Sequence, residues 1–206
     1  MAKKHISRWL NKIAVVTGAS SGIGAATARK LASQGLRVIL VARRQVRLEQ
    51  LAEQIRNSGG QAEIVTADLS QEAERQRVYS LVEAEYGHVD VLINNAGLGW
   101  YGYGNEMPWT IASEILHVNI EAVVHFTLLC LGKMRRIGSG HIINIGSISG
   151  SLPSQGVALY GATKSFLDNF TTALYRELTG THLHVSVVRA GPVFTEFDDA
   201  VAHLNG

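Results

Sequence analysis

The sequence predicts an α/β fold in which a doubly wound parallel sheet carries helices on both faces. Three observations point there. Short β-branched runs alternate along the chain with longer segments of helical period, the pattern of βαβ units. Hydrophobic residues make up 46% of the 206 and charged residues 17%, a balance that excludes a disordered chain and suits a sheet buried on both sides. A glycine-rich turn directly follows the first apolar run and leads into the first helix.

The elements follow in order. Ile13-Ala14-Val15-Val16 is a short apolar strand, and the helix after it runs to about Ser33, with Gly35 placed to stop it. Val38 to Val41 form the second strand. Leu48, Leu51, Ala52 and Ile55 repeat at helical spacing, and Asn57-Ser58-Gly59-Gly60 ends that helix. Ala62 to Thr66 is the third strand, followed by a helix from about Gln71 to Tyr86. The fourth strand, Val91 to Ile93, runs into Asn94-Asn95-Ala96-Gly97. A loop with Gly99, Gly102 and Gly104 precedes one long helix from about Trp109 to Arg136. Ile142 to Ile145 is the fifth strand, a helix from about Val157 to Leu178 comes next, and His184 to Val188 is the sixth strand. The length fits one domain over residues 1–206.

Composition excludes several function classes. Nineteen Lys plus Arg against 17 Asp plus Glu give a formal charge of +2, too balanced for a nucleic-acid or membrane-surface binder. The single Cys130 cannot close an internal disulfide, and with no secretion signal the expected compartment is the cytoplasm. No run approaches the ~20 apolar residues that cross a bilayer; the densest, Val123 to Leu131, is interrupted by His125. The eight His show no metal-ligand spacing, so no metal site is expected. Serines 149, 151 and 154 lack a matching His and acid, which argues against acyl transfer.

The turn after the first strand reads Thr17-Gly18-Ala19-Ser20-Ser21-Gly22-Ile23-Gly24. Gly18 permits the tight turn, and Gly22 lets backbone N–H groups approach a pyrophosphate that the positive helix end attracts. Its three residues between the first two glycines depart from the common G-x-G-x-x-G spacing. The segment resembles the short-chain dehydrogenase/reductase family, in its compact single-domain branch with a Rossmann-type sheet. The resemblance implies a nicotinamide dinucleotide held by Gly18, Ser20, Ser21, Gly22, Ile23 and Gly24.

At the end of the second strand an acid would bond the ribose 2′-hydroxyl of NAD(H), and a basic group would accept the 2′-phosphate of NADP(H). Ala42 stands in the acid's place and Arg43-Arg44 follow, so NADP(H) is preferred over NAD(H). The weaker alternative is that the two arginines are only the solvated start of the next helix, which would leave the cofactor choice open. Asp68 matches the family's acid for the adenine amino group, with Leu69 beside the ring; alone it also reads as a helix N-cap. Asn95, Ala96 and Gly97 match the family's N-N-A-G segment, which lies against the cofactor.

Tyr160 and Lys164 are four apart on a predicted helix and share a face, a weak signal alone. Ser147 ends the fifth strand, at the carboxyl edge of the sheet where such folds bind ligands, and Asn119 lies inside the long helix. In order and spacing the four resemble the family's catalytic set. That set serves hydride transfer at a carbon bearing oxygen, where charge and a proton must be handled together. Tyr160 is the implied acid or base, and Lys164 lowers its pKa and holds the nicotinamide ribose. Ser147 is the implied donor to the substrate oxygen, and Asn119 holds a water in a proton relay or, by itself, bonds locally in its helix. Arg189-Ala190-Gly191-Pro192-Val193-Phe194-Thr195 resembles the family's nicotinamide-carboxamide segment, with Ala190 in place of proline and with Val193 and Thr195 at the binding positions.

Trp100, Tyr101 and Tyr103, followed by Met107 and Trp109, make the loop aromatic and apolar, either as the border of a hydrophobic carbonyl or alcohol substrate or as packing against a second subunit. Relatives continue through a lid, another helix and a seventh strand, so the resemblance implies a chain truncated at its C-terminus with six of seven strands. A homodimer or homotetramer is expected. The alternative reading is a catalytically idle NADP(H)-binding sensor, scaffold or inactive fragment. A nucleotide-sugar epimerase would need T-G-x-x-G-x-x-G spacing, which the sequence lacks.

Overall fold

A computed structural model describes residues 8–193 of the chain. Six strands, β1 (Ile13–Thr17), β2 (Arg37–Ala42), β3 (Gln61–Thr66), β4 (Val91–Asn94), β5 (Gly140–Ser147) and β6 (Leu183–Ala190), form one sheet. Their order is β3-β2-β1-β4-β5-β6 and every pairing is parallel. The order reverses between β1 and β4, and at such a switch point a crevice opens beyond the carboxyl ends of the strands.

Helices α1 (Gly22–Ser33), α2 (Gln45–Asn57), α3 (Glu72–Tyr86), α4 (Trp109–Leu116), α5 (Ala122–Ile137) and α6 (Ala158–Glu177) cover the sheet. Strand alternation decides which face each residue serves. Ala14, Val16, Val38 and Leu40 pack against Ala28 of α1 and against Leu48, Leu51 and Ile55 of α2. Ile13, Val15, Leu92 and Ile142 point the other way, onto Val78 of α3, Phe126 and Met134 of α5, and Leu174 of α6. Both layers bury continuous apolar stripes, as the alternating pattern predicts.

Most strands are longer than their apolar runs suggest. The β5 ladder continues through Gly146↔Arg189 and Ser147↔Ala190, because backbone pairing is indifferent to whether a residue is greasy. Ser147 therefore sits in the strand itself. The predicted long helix is not uniform: α4 and α5 are joined by a π-turn at His117–Glu121, which places Asn119 at the irregularity. The continuous segment Trp109–Ile137, with mean hydropathy 1.6 over its most apolar window, is long and apolar enough to cross a membrane by length and composition. Counted within the apolar run 123–131 alone, that length was invisible. In this fold its Phe126, Cys130 and Met134 are buried against the sheet.

Candidate active site

The carboxyl ends of the strands border a cleft of about 1010 Å³. Thr17 ends β1, buried beneath the cleft. Its hydroxyl donates to the Ile93 carbonyl at 3.2 Å and accepts the N–H groups of Asn95 and Ala96 at 3.0 Å each. The Asn95 amide in turn donates to the carbonyls of Thr17 and Gly18 at 3.0 and 3.1 Å. Two adjacent strand ends are thereby locked together. Gly18 has φ +63°, and a Cβ there would come within 2.8 Å of the Ala96 Cα. Only glycine fits that turn. Gly24 does not line the cleft; a side chain on it would press on the Gly18 carbonyl and the Asn95 amide, so it acts by letting α1 pack beneath the turn.

Ser20, Ser21, Gly22 and Ile23 line the cleft at the start of α1. Ser21 is the N-cap, yet its side chain does not cap the helix; its hydroxyl accepts from Arg44 at 2.7 Å. Arg44 also donates to the Ser20 hydroxyl at 3.0 Å. The first-turn N–H groups of α1 thus lack a side-chain cap and face a cationic neighbour, the makings of an anion site. Arg43 lines the same end, but its guanidinium donates to Glu114 on α4 at 2.7 Å.

Asp68 and Leu69 line the cleft beyond β3. Asp68 accepts from the N–H and hydroxyl of Ser70 at 3.0 and 2.9 Å, and Gln71 is the residue that precedes α3, so Asp68 is not the helix N-cap. The adjoining backbone is held from behind by Arg75, which is buried and donates to the carbonyls of Leu69 and Ser70 at 2.8 and 3.1 Å. Nothing in the sequence pattern singled out that arginine.

On the opposite wall Ser147, Tyr160 and Lys164 line the cleft together. Ser147 Oγ accepts the Ser149 N–H at 3.2 Å, which occupies a lone pair and leaves its proton to the cleft. Tyr160 and Lys164 share one face of α6, and the Lys164 Nζ lies 5.6 Å from the Tyr160 ring centroid. Lys164 is buried, and its Nζ donates to the Ile145 carbonyl at 2.8 Å. Burial lowers its pKa to about 8, against the opposing charge of Asp168.

Asn119 is fully buried and does not reach the cleft. Its amide donates to the Leu98 carbonyl at 2.9 Å and to the Thr163 hydroxyl at 3.0 Å, and its oxygen accepts the Leu98 N–H at 2.8 Å. The side chain is a strut between the loop after β4 and α6. Thr163, missed in the sequence, completes it by donating to the Tyr160 carbonyl at 2.8 Å. Behind the cleft Asn94 donates to Thr127 and Asn144, and Asn144 donates to Thr171, a buried chain linking α5, β4, β5 and α6.

Asn95, Ala96 and Gly97 form the cleft floor. A Cβ on Gly97 would sit 3.5 Å from both the Lys164 Nζ and the Asn119 Oδ1, in ordinary contact with each, so the floor lies directly against the buried amine. Val193 lines the far end, whereas Thr195 lies outside the described residues. Of the aromatic loop, Trp100 and Tyr101 reach the cleft; Tyr103 and Trp109 are exposed elsewhere. Gly102 and Gly156 accept the Trp100 and Tyr101 rings where a Cβ would collide with them. No group of three or more metal-ligating side chains exists among the described residues.

This shape suits a dinucleotide: an anion-ready helix end, a turn at Gly18 where a Cβ would intrude, and a polar wall lie along one continuous cleft. The family model described as short chain dehydrogenase matches residues 12–204. An uncharacterized oxidoreductase of Staphylococcus epidermidis is 36% identical over 184 residues, 89% of this chain and 79% of that protein. A metagenomic short-chain oxidoreductase solved in complex with NADP superposes with TM-score 0.85 at 37% identity, over 95% of this chain and 90% of that one. A short chain dehydrogenase/reductase from Burkholderia phymatum, solved in complex with NAD, superposes with TM-score 0.88 at 29% identity, over 93% of this chain and 69% of that one.

Proposed function

The chain belongs to the short chain dehydrogenase family of nicotinamide-dependent oxidoreductases, and we propose that it is an NADP(H)-dependent reductase of a hydrophobic ketone or aldehyde, able to oxidise the corresponding secondary alcohol. The observation that carries this reading is the convergence of Ser147, Tyr160 and a buried Lys164 on the cleft that also holds the phosphate turn.

The turn residues Ser20, Ser21, Gly22 and Ile23 would hold the diphosphate, Gly18 would let the backbone approach it, and Gly24 would support the turn from beneath by letting α1 pack closely. Arg44, already on the serine hydroxyls, and Arg43 would take the 2′-phosphate, since a guanidinium binds phosphate oxygens bidentately. Asp68 and Leu69 would flank the adenine, while Asn95, Ala96, Gly97 and Val193 would bound the nicotinamide half. Thr195 keeps its proposed place there by sequence. The bound dinucleotide supplies the hydride.

The chain's own residues manage charge and proton. Tyr160 gives its hydroxyl proton to the substrate oxygen, and the Lys164 ammonium stabilises the phenolate left behind. Ser147 donates a second hydrogen bond to that oxygen as negative charge grows on it. Asn119 acts through position, keeping α6 and the Leu98 loop in register. The substrate end is walled by Trp100, Tyr101, Val118, Ile148 and Val157, none charged, which supports a neutral apolar substrate. Exposed Leu128 on α5 and Phe166 and Tyr175 on α6 support a homodimer or homotetramer.

The test follows NADPH oxidation over a panel of apolar ketones and aldehydes with the unmodified chain and Tyr160→Phe. Turnover that falls about 10²- to 10⁴-fold in the variant, with NADPH binding retained, is the expected result. Binding without turnover in either protein would favour a sensor and overturn the reductase.

A further inference from the structure

Asp168 is one turn beyond Lys164 on α6, on the same face as Tyr160 and Lys164. Its two oxygens have different fates. Oδ2 accepts from the Arg189 guanidinium of β6 at 2.9 Å. Oδ1 is buried with no hydrogen-bond donor, and a Cβ on Gly146 would lie only 3.5 Å from it. Lys164 reaches the neighbouring residue of the same strand, donating to the Ile145 carbonyl. An ammonium and a carboxylate from one helix face are therefore brought to adjacent positions of β5, inside the protein, where charges are weakly screened.

We propose that Asp168 is a positioning residue for the reaction: its carboxylate, anchored by Arg189 on one oxygen and bare on the other, keeps the buried Lys164 charged and directed toward Ile145 and Tyr160. This rests on the catalytic role proposed for Lys164.

A desolvated amine loses its proton readily unless a negative charge is near. Among the described residues, the elements around Lys164 offer little else. The β5 end contributes a carbonyl and the neutral Ser147, and the π-turn contributes the neutral Asn119. Glu114 of α4 is bonded to Arg43, and Glu121 faces His117 and Arg75. From β6, Arg189 is bonded to Asp168 itself, and the His184 ring lies against that of His141. The opposing influence on Lys164 comes from Asp168, which counters the effect of burial. Removing the carboxylate while keeping its shape leaves burial unopposed. Removing Arg189 takes away a cation and one hydrogen bond but leaves the negative charge on α6, four residues beyond Lys164.

The experiment titrates Lys164 directly by NMR in the 206-residue chain with its lysines ¹³C-labelled at Cε, the signal assigned by its loss in Lys164→Met. Asp168→Asn is expected to move the Lys164 midpoint down by about one pH unit or more. Asp168→Glu restores the charge and returns the midpoint toward the unmodified value, and Arg189→Met leaves it unchanged or raises it. The alkaline limb of kcat for carbonyl reduction falls to lower pH in Asp168→Asn alone. A midpoint unmoved in Asp168→Asn, or lowered equally in Arg189→Met, overturns the proposal, because a merely packing role would treat both partners alike. A lowered midpoint in a protein that turns over no carbonyl would uphold the Asp168 to Lys164 coupling and fail the reductase reading instead.

Discussion

Lys164 carries an amino group into the interior, where the Ile145 carbonyl accepts its hydrogen bond, the Tyr160 ring lies 5.6 Å away and the charge of Asp168 opposes the effect of burial. With its pKa lowered to about 8, the ammonium is present below that pH and is lost above it. The catalytic reading therefore expects kcat for reduction to decline as pH rises through about 8, and a pH profile that stayed flat to pH 10 would contradict it. Arg44 offers a second test at this scale. Its bonds to Ser20 and Ser21 put a guanidinium beside the uncapped start of α1. Arg44→Ala is expected to weaken NADPH binding about tenfold or more while changing NADH binding little, the scale of a lost charge-assisted hydrogen bond, measured by calorimetric titration. Equal losses for both cofactors would show that the arginine merely braces the turn. The residue types that meet the cleft were legible in the sequence because they stand in order at strand and helix ends. The partners that hold them were not. Arg75, Thr163 and Asp168 act through contacts between elements far apart in the chain, and no local spacing encodes those.

Among the elements, the strand ends are tied by polar groups and the middles by apolar ones. The chain Thr127, Asn94, Asn144, Thr171 lies wholly inside and satisfies its amide donors across two strands and two helices. Asn144→Ala removes the acceptor of Asn94 and the donor to Thr171 at once. A stability loss of about 2–4 kcal/mol in urea unfolding is expected, because buried partners left unpaired cost more than the bond itself gained. At the other strand ends, Asp90 accepts from the Lys12 ammonium and the Ile13 N–H, each at 2.8 Å. Burial works to raise its pKa, yet the Lys12 bond, the Ile13 N–H and His88 outweigh it and hold the carboxyl below its ordinary value. The sign follows: this stability is present above the ordinary carboxylate pKa and is lost as pH falls through the lower folded value. Asp90→Asn is expected to be less stable at neutral pH and to show a smaller further loss on acidification, read from urea midpoints at several pH values. The strands themselves were legible from apolar runs, but their ends were not, since the ladders at Gly140, Gly146 and Ser147 run past the hydrophobic residues that advertise them. The π-turn at His117–Glu121 was hidden for a related reason: helical spacing looks the same on either side of one inserted residue.

For the whole molecule, the order β3-β2-β1-β4-β5-β6 explains why one cleft receives everything. Parallel strands send all their carboxyl ends to one edge, and the reversal between β1 and β4 separates the connections enough to leave a crevice there. The glycine turn comes from β1, the two arginines from β2, Asp68 from β3, the floor of Asn95, Ala96 and Gly97 from β4 and the serine from β5. Val193, just past β6, lies at the far end of the same cleft. The alternating pattern of strands and helices foretold this architecture, and parallel pairing did the rest. The central claim is that this cleft moves a hydride from a nicotinamide to a carbonyl carbon, with Tyr160 supplying the proton. The most direct measurement incubates the chain with NADPH deuterated at the transferring C4 position and an apolar ketone, then locates the label by mass spectrometry. One deuterium on the carbinol carbon, absent from the product when Tyr160→Phe replaces the unmodified chain, is the expected result. Alcohol formed without the label, or formed equally well by the variant, would contradict the account.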